Sequence, residues 1–405
     1  MKGSAPRPLS PKDVDDVVRL LAPDFDLVPS LRAEAAGVIR DLVLLTEEQV
    51  RHFRAFEENP RVVIRGGAGT GKTLLAAADA ERTAVQGASV LFVCQSNALR
   101  DELRSRLCER PRVKVFAFQE LCGHLMRLGG IDDARIPGSR SQEYFDILRP
   151  TSAMEGWAAL GDPPQWDVLI VDEAQDLLTG PAAELLELLV EGGWDDGRWR
   201  LFLDPVQDLF AASHSDVVDR VSTAGFRVRL SINCRNSAPI ARDTAIATGG
   251  PLNDTLAVHG PEPVWHVYSD RREHRKLVGQ QIRTWIDQGF RPQDITILSP
   301  VRRMNSVLAD GLPAGTPCSL VDGPLLDRST HPKAAQFSTV AAFKGLESDA
   351  VLLLDAPHLG RIDMAATVYV GMTRARAVLS VLRDSRYNDT WRSLQQDFGK
   401  RLITG

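Results

Sequence analysis

The sequence predicts an α/β fold of two domains, each built on a parallel sheet, and three observations carry that prediction. Short apolar strands alternate with helical or loop segments along most of the 405 residues, the pattern of parallel sheets covered on both faces. The strands fall into two series, and the chain is long enough for two ordinary cores. Finally, a strand at residues 61–64 runs into Gly66-Gly67-Ala68-Gly69-Thr70-Gly71-Lys72-Thr73 and then into strong helix formers at 74–80. That is the strand–loop–helix context of a phosphate-binding loop.

In the loop, glycines let backbone N–H groups curl round phosphates, and the helix N-terminus adds partial positive charge. Residues Gly66 to Thr73, with Leu74 beyond them, are therefore the expected seat of a nucleoside triphosphate. Lys72 would reach the β- and γ-phosphates, and the Thr73 hydroxyl would ligate Mg²⁺. The first series continues with strands at 89–94, 113–118, 168–172 and 200–204. Residues 129–164, rich in Gly, Pro, Ser and Asp, read as an irregular insertion. The strand at 168–172 ends in two adjacent carboxylates; ligands of open α/β sheets sit at the carboxyl ends of strands, so both point toward the loop. Asp172 would hold the Mg²⁺ shell, and Glu173 would position and deprotonate an attacking water. The second series holds strands at 226–232, 264–269, 295–299, 337–341, 351–354 and 378–382. The expected organisation is an N-terminal segment 1–40, a first domain 41–215 and a second domain 216–405, with the domains meeting near 211–221.

Composition narrows the class. The net charge of −5 argues against a broadly basic nucleic-acid coat, while leaving room for a local basic groove. Cys94, Cys108, Cys122, Cys234 and Cys318 are an odd, dispersed set without Cys-x-x-Cys spacing, which points to free thiols in a reducing cytoplasm. No apolar run reaches the length of a membrane span, and residues 1–21 are charged and contain proline, unlike a secretory signal.

Four further segments follow in order: Leu203-Asp204-Pro205-Val206-Gln207-Asp208-Leu209-Phe210, Leu230-Ser231-Ile232-Asn233-Cys234-Arg235-Asn236, Phe343-Lys344-Gly345-Leu346-Glu347, and Tyr369-Val370-Gly371-Met372-Thr373-Arg374-Ala375-Arg376. Together with the loop and the acidic pair, this ordered set resembles the motifs of UvrD/Rep-like superfamily 1 helicases, from Leu45 to about Leu382. The resemblance implies two RecA-like domains closing on Mg·ATP at their interface, with single-stranded DNA crossing both in the 3′-to-5′ direction and RNA left open. It places Gln49, in Leu45-Thr46-Glu47-Glu48-Gln49, against the adenine edge. Asp204 and Gln207 couple the γ-phosphate to the nucleic-acid site, Arg235 and Arg374 act on the γ-phosphate as arginine fingers, Glu347 binds the ribose, and Gly345 lies close to the phosphates.

The chain departs from the family at several positions. Cys234 and Leu74 stand where a Tyr and an Arg usually sandwich adenine, so base recognition rests mainly on Gln49. Asn97 matches a DNA-contacting Asn, and Gln95 replaces an aromatic. Phe118 matches a DNA-proximal aromatic, and Phe210 replaces a base-stacking Tyr; either phenylalanine could equally belong to the core. The beginning of the chain resembles the segment that joins a nuclease-related (NERD-type) domain to a helicase core in some bacterial proteins. A missing fused domain, or a nuclease partner, is therefore among the expectations. Two readings remain: a helicase or translocase on single-stranded DNA, and an ATP-driven switch that regulates a partner without processive unwinding.

Overall fold

The computed structural model describes residues 30–53, 58–136, 141–204, 216–250, 258–324, 327–355 and 362–404. Helix α1 (Leu31–Phe53) leads into strand β1 (Arg61–Gly66), α2 (Lys72–Val85), β2 (Val90–Cys94), α3 (Asn97–Arg106), β3 (Val113–Ala117) and α4 (Phe118–Leu128). Then come α5 (Arg149–Ala158), β4 (Val168–Val171), α6 (Gly180–Leu189), α7 (Gly193–Asp196), β5 (Arg198–Leu203), α8 (Asp216–Ala224) and β6 (Phe226–Leu230). These six strands form one parallel sheet in the order β3-β2-β4-β5-β1-β6. Every residue of β2 and β4 is buried, as expected of strands covered by helices on both faces.

The strand at 226–232, which the sequence assigns to the second series, is instead the edge of the first sheet. It pairs alongside β1, with Ile64 opposite Val228, so the first sheet continues to Leu230. Its alternation of exposed Arg227 and Arg229 with buried Val228 suits a charged sheet edge. The expected irregular insertion is also more ordered than its composition suggests. A π-helical turn (Tyr144–Leu148) runs directly into α5, which lies against α4. Two glycines allow this: a Cβ on Gly129 would stand 2.3 Å from the Gly156 carbonyl oxygen.

The second sheet is built from β7 (Val264–Tyr268), β8 (Ile295–Ser299), β9 (Ser319–Asp322), β10 (Ala334–Thr339), β11 (Ser348–Leu353) and β12 (Ala375–Asp384). Its order is β7-β12-β11-β8-β10-β9, parallel throughout. Helices α9 (Ala238–Thr248), α10 (Arg271–Asp287), α11 (Ile362–Met372) and α12 (Asn388–Thr404) accompany it. The fold class is thus α/β, with two RecA-like parallel-sheet domains. Among the described residues no helix is long and apolar enough to cross a membrane.

Helix α1 straddles the expected boundary at residue 40. Ala35, Val38 and Leu42, spaced on one helical face, are buried with Tyr268, Ile282, Trp285 and Leu382 of the second domain. Its later turns reach the cleft between the sheets.

One buried ion pair ties α2 to the first sheet. Arg200 on β5 lies 3.3 Å from Asp79, at 2% and 1% side-chain exposure, and also donates to the Pro60 carbonyl at 2.8 Å. Removing one partner of such a pair strands a charge in the core. Asp79→Ala is expected to destabilise the protein by about 3–5 kcal/mol, read from urea unfolding; an unshifted midpoint would show that the pair is solvated in practice.

Candidate active site

The phosphate-binding loop takes its shape from its glycines. Gly69 and Gly71 have φ of 83° and 76°, left-handed values that a side chain would strain. A Cβ on Gly66 would stand 2.4 Å from Thr70 Oγ1. Thr70 Oγ1 donates back to the Gly67 carbonyl at 2.9 Å, closing the turn. No side chain caps α2 at Gly71, so its first turn faces the cleft as an anion-binding helix end.

Lys72 Nζ donates to the Gly66 and Gly67 carbonyls at 2.7 and 3.0 Å and lies 3.5 Å from Asp204 Oδ2. Thr73 Oγ1 donates to Asp172 Oδ2 at 2.6 Å. This hydroxyl–carboxylate pair offers hard oxygen donors suited to Mg²⁺, which takes few protein ligands and fills its octahedron with water and phosphate oxygens. The residues therefore fit the ion.

The two adjacent carboxylates are driven apart. Burial pushes the Asp172 carboxyl above its ordinary range, reinforced by the charge of Glu173. Burial would also raise Glu173, but Lys344, Lys72, a hydrogen bond from Gln175 and Arg374 together hold it down at about 2. Glu173 sits in the left-handed region at φ 53°, a strained conformation for a residue with a side chain. Gln175 secures it by donating from Nε2 to Glu173 Oε2 at 2.6 Å. The other end of the same amide accepts from the Asp204 N–H at 3.0 Å.

The second domain supplies the remaining charge. Lys344 Nζ lies 3.9 Å from Glu173 and 2.5 Å from Asp176. Arg374, 1% exposed, donates to the carbonyls of Val370 and Leu346 at 3.0 and 3.3 Å and to Thr373 Oγ1 at 3.2 Å. Burial and the neighbouring Arg235 lower it to about 10, which leaves it a cation at neutral pH. Arg235 Nε donates to Glu347 Oε2 at 2.9 Å, and Arg376 lies 3.5 Å from the other Glu347 oxygen. Burial would raise Glu347, yet Arg235 and Arg376 bring it below the usual carboxylate range.

A cavity of about 640 Å³ opens beside the loop, between the domains. Its walls include Leu42, Val43, Thr46 and Arg51 of α1, Gly69, Gly71, Leu74 and Ala78 around the loop and α2, and Cys234, Arg235, Glu347 and Arg376 from beyond β6. Leu74 and Cys234, the two departures from the family, thus line it with aliphatic and thiol surface. Gln49 lies in α1, but its side chain is outside the described residues, as are Gln207 and Phe210 altogether. Gly345 (φ 90°) is pressed against α3, where a Cβ would stand 2.7 Å from Leu99 Cδ2; the structure brings it to the domain interface rather than onto the cavity wall.

Of the expected nucleic-acid residues, Asn97 is exposed at the start of α3. Phe118 is a correction: it is 2% exposed and packs in the first core with Leu121, Leu125 and Trp199, because it opens α4 on the face turned to the sheet. It has no ring face to offer a base. Lys344 and Tyr369 were legible only as members of motif strings, and their contacts, like those of Gln175, were not. A second group was missed. Arg302, Arg303 and Met304 join Ser338 and Thr339 around a depression of about 330 Å³ at the carboxyl ends of β8 and β10.

Residues 60–189 match the family model described as "Schlafen group 3, DNA/RNA helicase domain", about a third of the chain. They are a helicase-like domain. No curated protein sequence matches the chain. Among solved structures, nonstructural protein 10 (helicase) of an arterivirus aligns over 82% of this chain and 61% of that one, with 12% identity and a TM-score of 0.39. The C-terminal domain of a possible DNA helicase from Lactobacillus plantarum WCFS1 aligns over 39% of this chain and 95% of that one, with 16% identity and a TM-score of 0.29. The chain thus spans about three fifths of the arterivirus protein.

The aliphatic wall at Leu74 makes a gain of function testable. Leu74→Arg would set a cation on the cavity wall, where a nucleotide base bound in the cavity would gain about 0.5–1 kcal/mol. ATP affinity, measured by calorimetry, is expected to rise about two- to fivefold; unchanged affinity would place the base elsewhere.

Proposed function

We propose that this chain is a Mg²⁺-dependent ATPase motor of the UvrD/Rep-like superfamily 1 type, acting on single-stranded DNA in the 3′-to-5′ direction implied by the motif resemblance. The observation that carries the reading is the division of the hydrolytic groups. Lys72, Asp172 and Glu173 belong to the first domain, whereas Lys344 and Arg374 belong to the second and Arg235 to the connection that leaves β6 for it, and the two sets meet at the phosphate loop. Hydrolysis in such a site depends on domain closure, which is the requirement for turning chemistry into movement.

In this reading Lys72 and the loop amides hold the triphosphate, and Glu173 accepts the proton of the attacking water. Arg235 and Arg374 stabilise charge that grows on the γ-phosphate in the transition state. Bound Mg²⁺, held by Thr73 and Asp172, would neutralise phosphate charge. The base would lie among Leu74, Ala78 and Cys234, with Gln49 close on the same helix as Leu42 and Thr46. Asn97 and the Arg302–Thr339 depression would mark the strand's course over the two domains, with Arg302 pairing with phosphates while Arg303 is held by Asp322.

The burial of Phe118 favours the second reading, an ATP-driven switch that regulates a partner such as a nuclease. One experiment separates the two. For the motor, single-stranded DNA should stimulate ATP turnover severalfold, the stimulation should fade with salt, and Arg302→Ala should reduce it. Arg374→Ala should cut turnover by roughly 10³–10⁵ with little change in ATP affinity, while Glu173→Gln should bind ATP and fail to hydrolyse it. Equal rates with and without single-stranded DNA or RNA would sink the motor and leave the switch.

Lys344 adds a pH signature. The pKa of Glu173 is depressed, so the wild-type base stays ionised well into acid. Lys344→Ala removes the cation that lowers it most, and the carboxyl should climb toward the ordinary range. The acid limb of kcat/KM, which reports the free enzyme, should then move to higher pH in the variant. Superimposable limbs would assign the base elsewhere.

A further inference from the structure

The phosphate-binding loop is already engaged from the second domain. Tyr369, buried on α11, accepts a hydrogen bond on its hydroxyl oxygen from the Ala68 N–H at 2.7 Å. The N–H groups of such a loop exist to meet phosphate oxygens, so a phenol oxygen stands where an anionic oxygen would compete for the same donor. Neighbouring contacts close the loop from the same side. Cys234 N–H donates to the Gly69 carbonyl at 2.7 Å, and the Asn233 amide packs so tightly that a Cβ on Gly69 would stand 2.2 Å from its Oδ1.

The position of the hydroxyl says which phosphate it would meet. The charges that act on the phenol are Asp204, Arg374 and Glu173, the hydrolytic end of the site, while the base end lies toward Leu74 and Cys234. Burial, first, and those carboxylates drive the phenol well above its ordinary range, so it remains a neutral oxygen that an anion can displace.

We propose that Tyr369 is a resident stand-in for the γ-phosphate: its hydroxyl holds the Ala68 amide in the nucleotide-free protein and yields it to a triphosphate but not to a diphosphate. The inference rests on the reading of this cleft as an ATP site. Because Tyr369 lies one helical turn before Thr373 and Arg374, and accepts on its own carbonyl from the Thr373 N–H at 3.0 Å, its release frees the segment that carries the finger. Tyr369 is thus a positioning residue for Arg374, responsive to the third phosphate.

The test is calorimetric titration of the full chain with AMP-PNP and with ADP, in wild type and in Tyr369→Phe. A neutral hydrogen bond contributes a factor of roughly five. Tyr369→Phe should therefore bind AMP-PNP about fivefold more tightly with ADP unchanged. Equal shifts for both nucleotides, no shift, or weaker AMP-PNP binding would overturn the proposal while leaving the ATP site standing. Failure of the wild type to bind either nucleotide would instead overturn the ATP-site reading itself. Should the variant not fold, 3-fluorotyrosine incorporated into the wild-type sequence gives a second readout. The ¹⁹F resonance of Tyr369 should move with AMP-PNP and stay with ADP, and identical responses to both would refute the stand-in.

Discussion

A buried carboxylate in a protein interior must find cations, and Glu173 finds two of its three on another domain. Lys72 comes from the same loop-and-sheet unit, while Lys344 and Arg374 come across the cleft. A charge in low dielectric without its partners costs several kcal/mol, so the electrostatics of the acid pair and the closure of the two sheets are one problem. The strained backbone at Glu173 and the amide of Gln175, which touches Glu173 with one end and Asp204 with the other, hold the carboxylate where those cations converge. Arg374 is fixed in the same spirit, its guanidinium bonded to the carbonyls of Val370 and Leu346 in its own domain.

The base end of the cleft follows different physics. Its walls are aliphatic, with Leu42 and Val43 supplied by a helix whose earlier turns are buried in the second domain. Motion of that domain therefore reaches the base end through α1 as well as the phosphate end through Lys344 and Arg374. Among the described residues no aromatic side chain lines the cavity, so under the proposed function the base would be held by burial of apolar surface, at roughly 25 cal/mol per Å², rather than by stacking.

For the proposed grip on a single strand, the molecule is sparsely equipped in its described parts. Phe118 is consumed by the core, and the candidate groups left exposed are Asn97 on the first domain and Arg302 and Met304 on the second. Charge rather than stacking would dominate such a surface, which makes its binding sensitive to salt.

Much of this was legible in the sequence because the information is local. The strand–loop–helix around Lys72, the apolar strand ending in Asp172 and Glu173, and the α/β alternation are written in runs of ten residues or so, where hydrophobic periodicity and glycine placement decide the backbone. The chain's residues alone thus determined the two parallel sheets and the local strand–loop–helix and acidic strand end from which the proposed ATP site is built. Only the tertiary structure decided that β6 pairs beside β1, that α1 is shared, that Phe118 turns inward, and that Lys344 and Tyr369 reach Glu173 and Ala68. The Lys344 and Tyr369 contacts join segments roughly 170 and 300 residues apart. No local period records them, because a side chain's partner across a cleft is chosen by how two whole domains pack and by the cost of leaving a buried charge or N–H unmet.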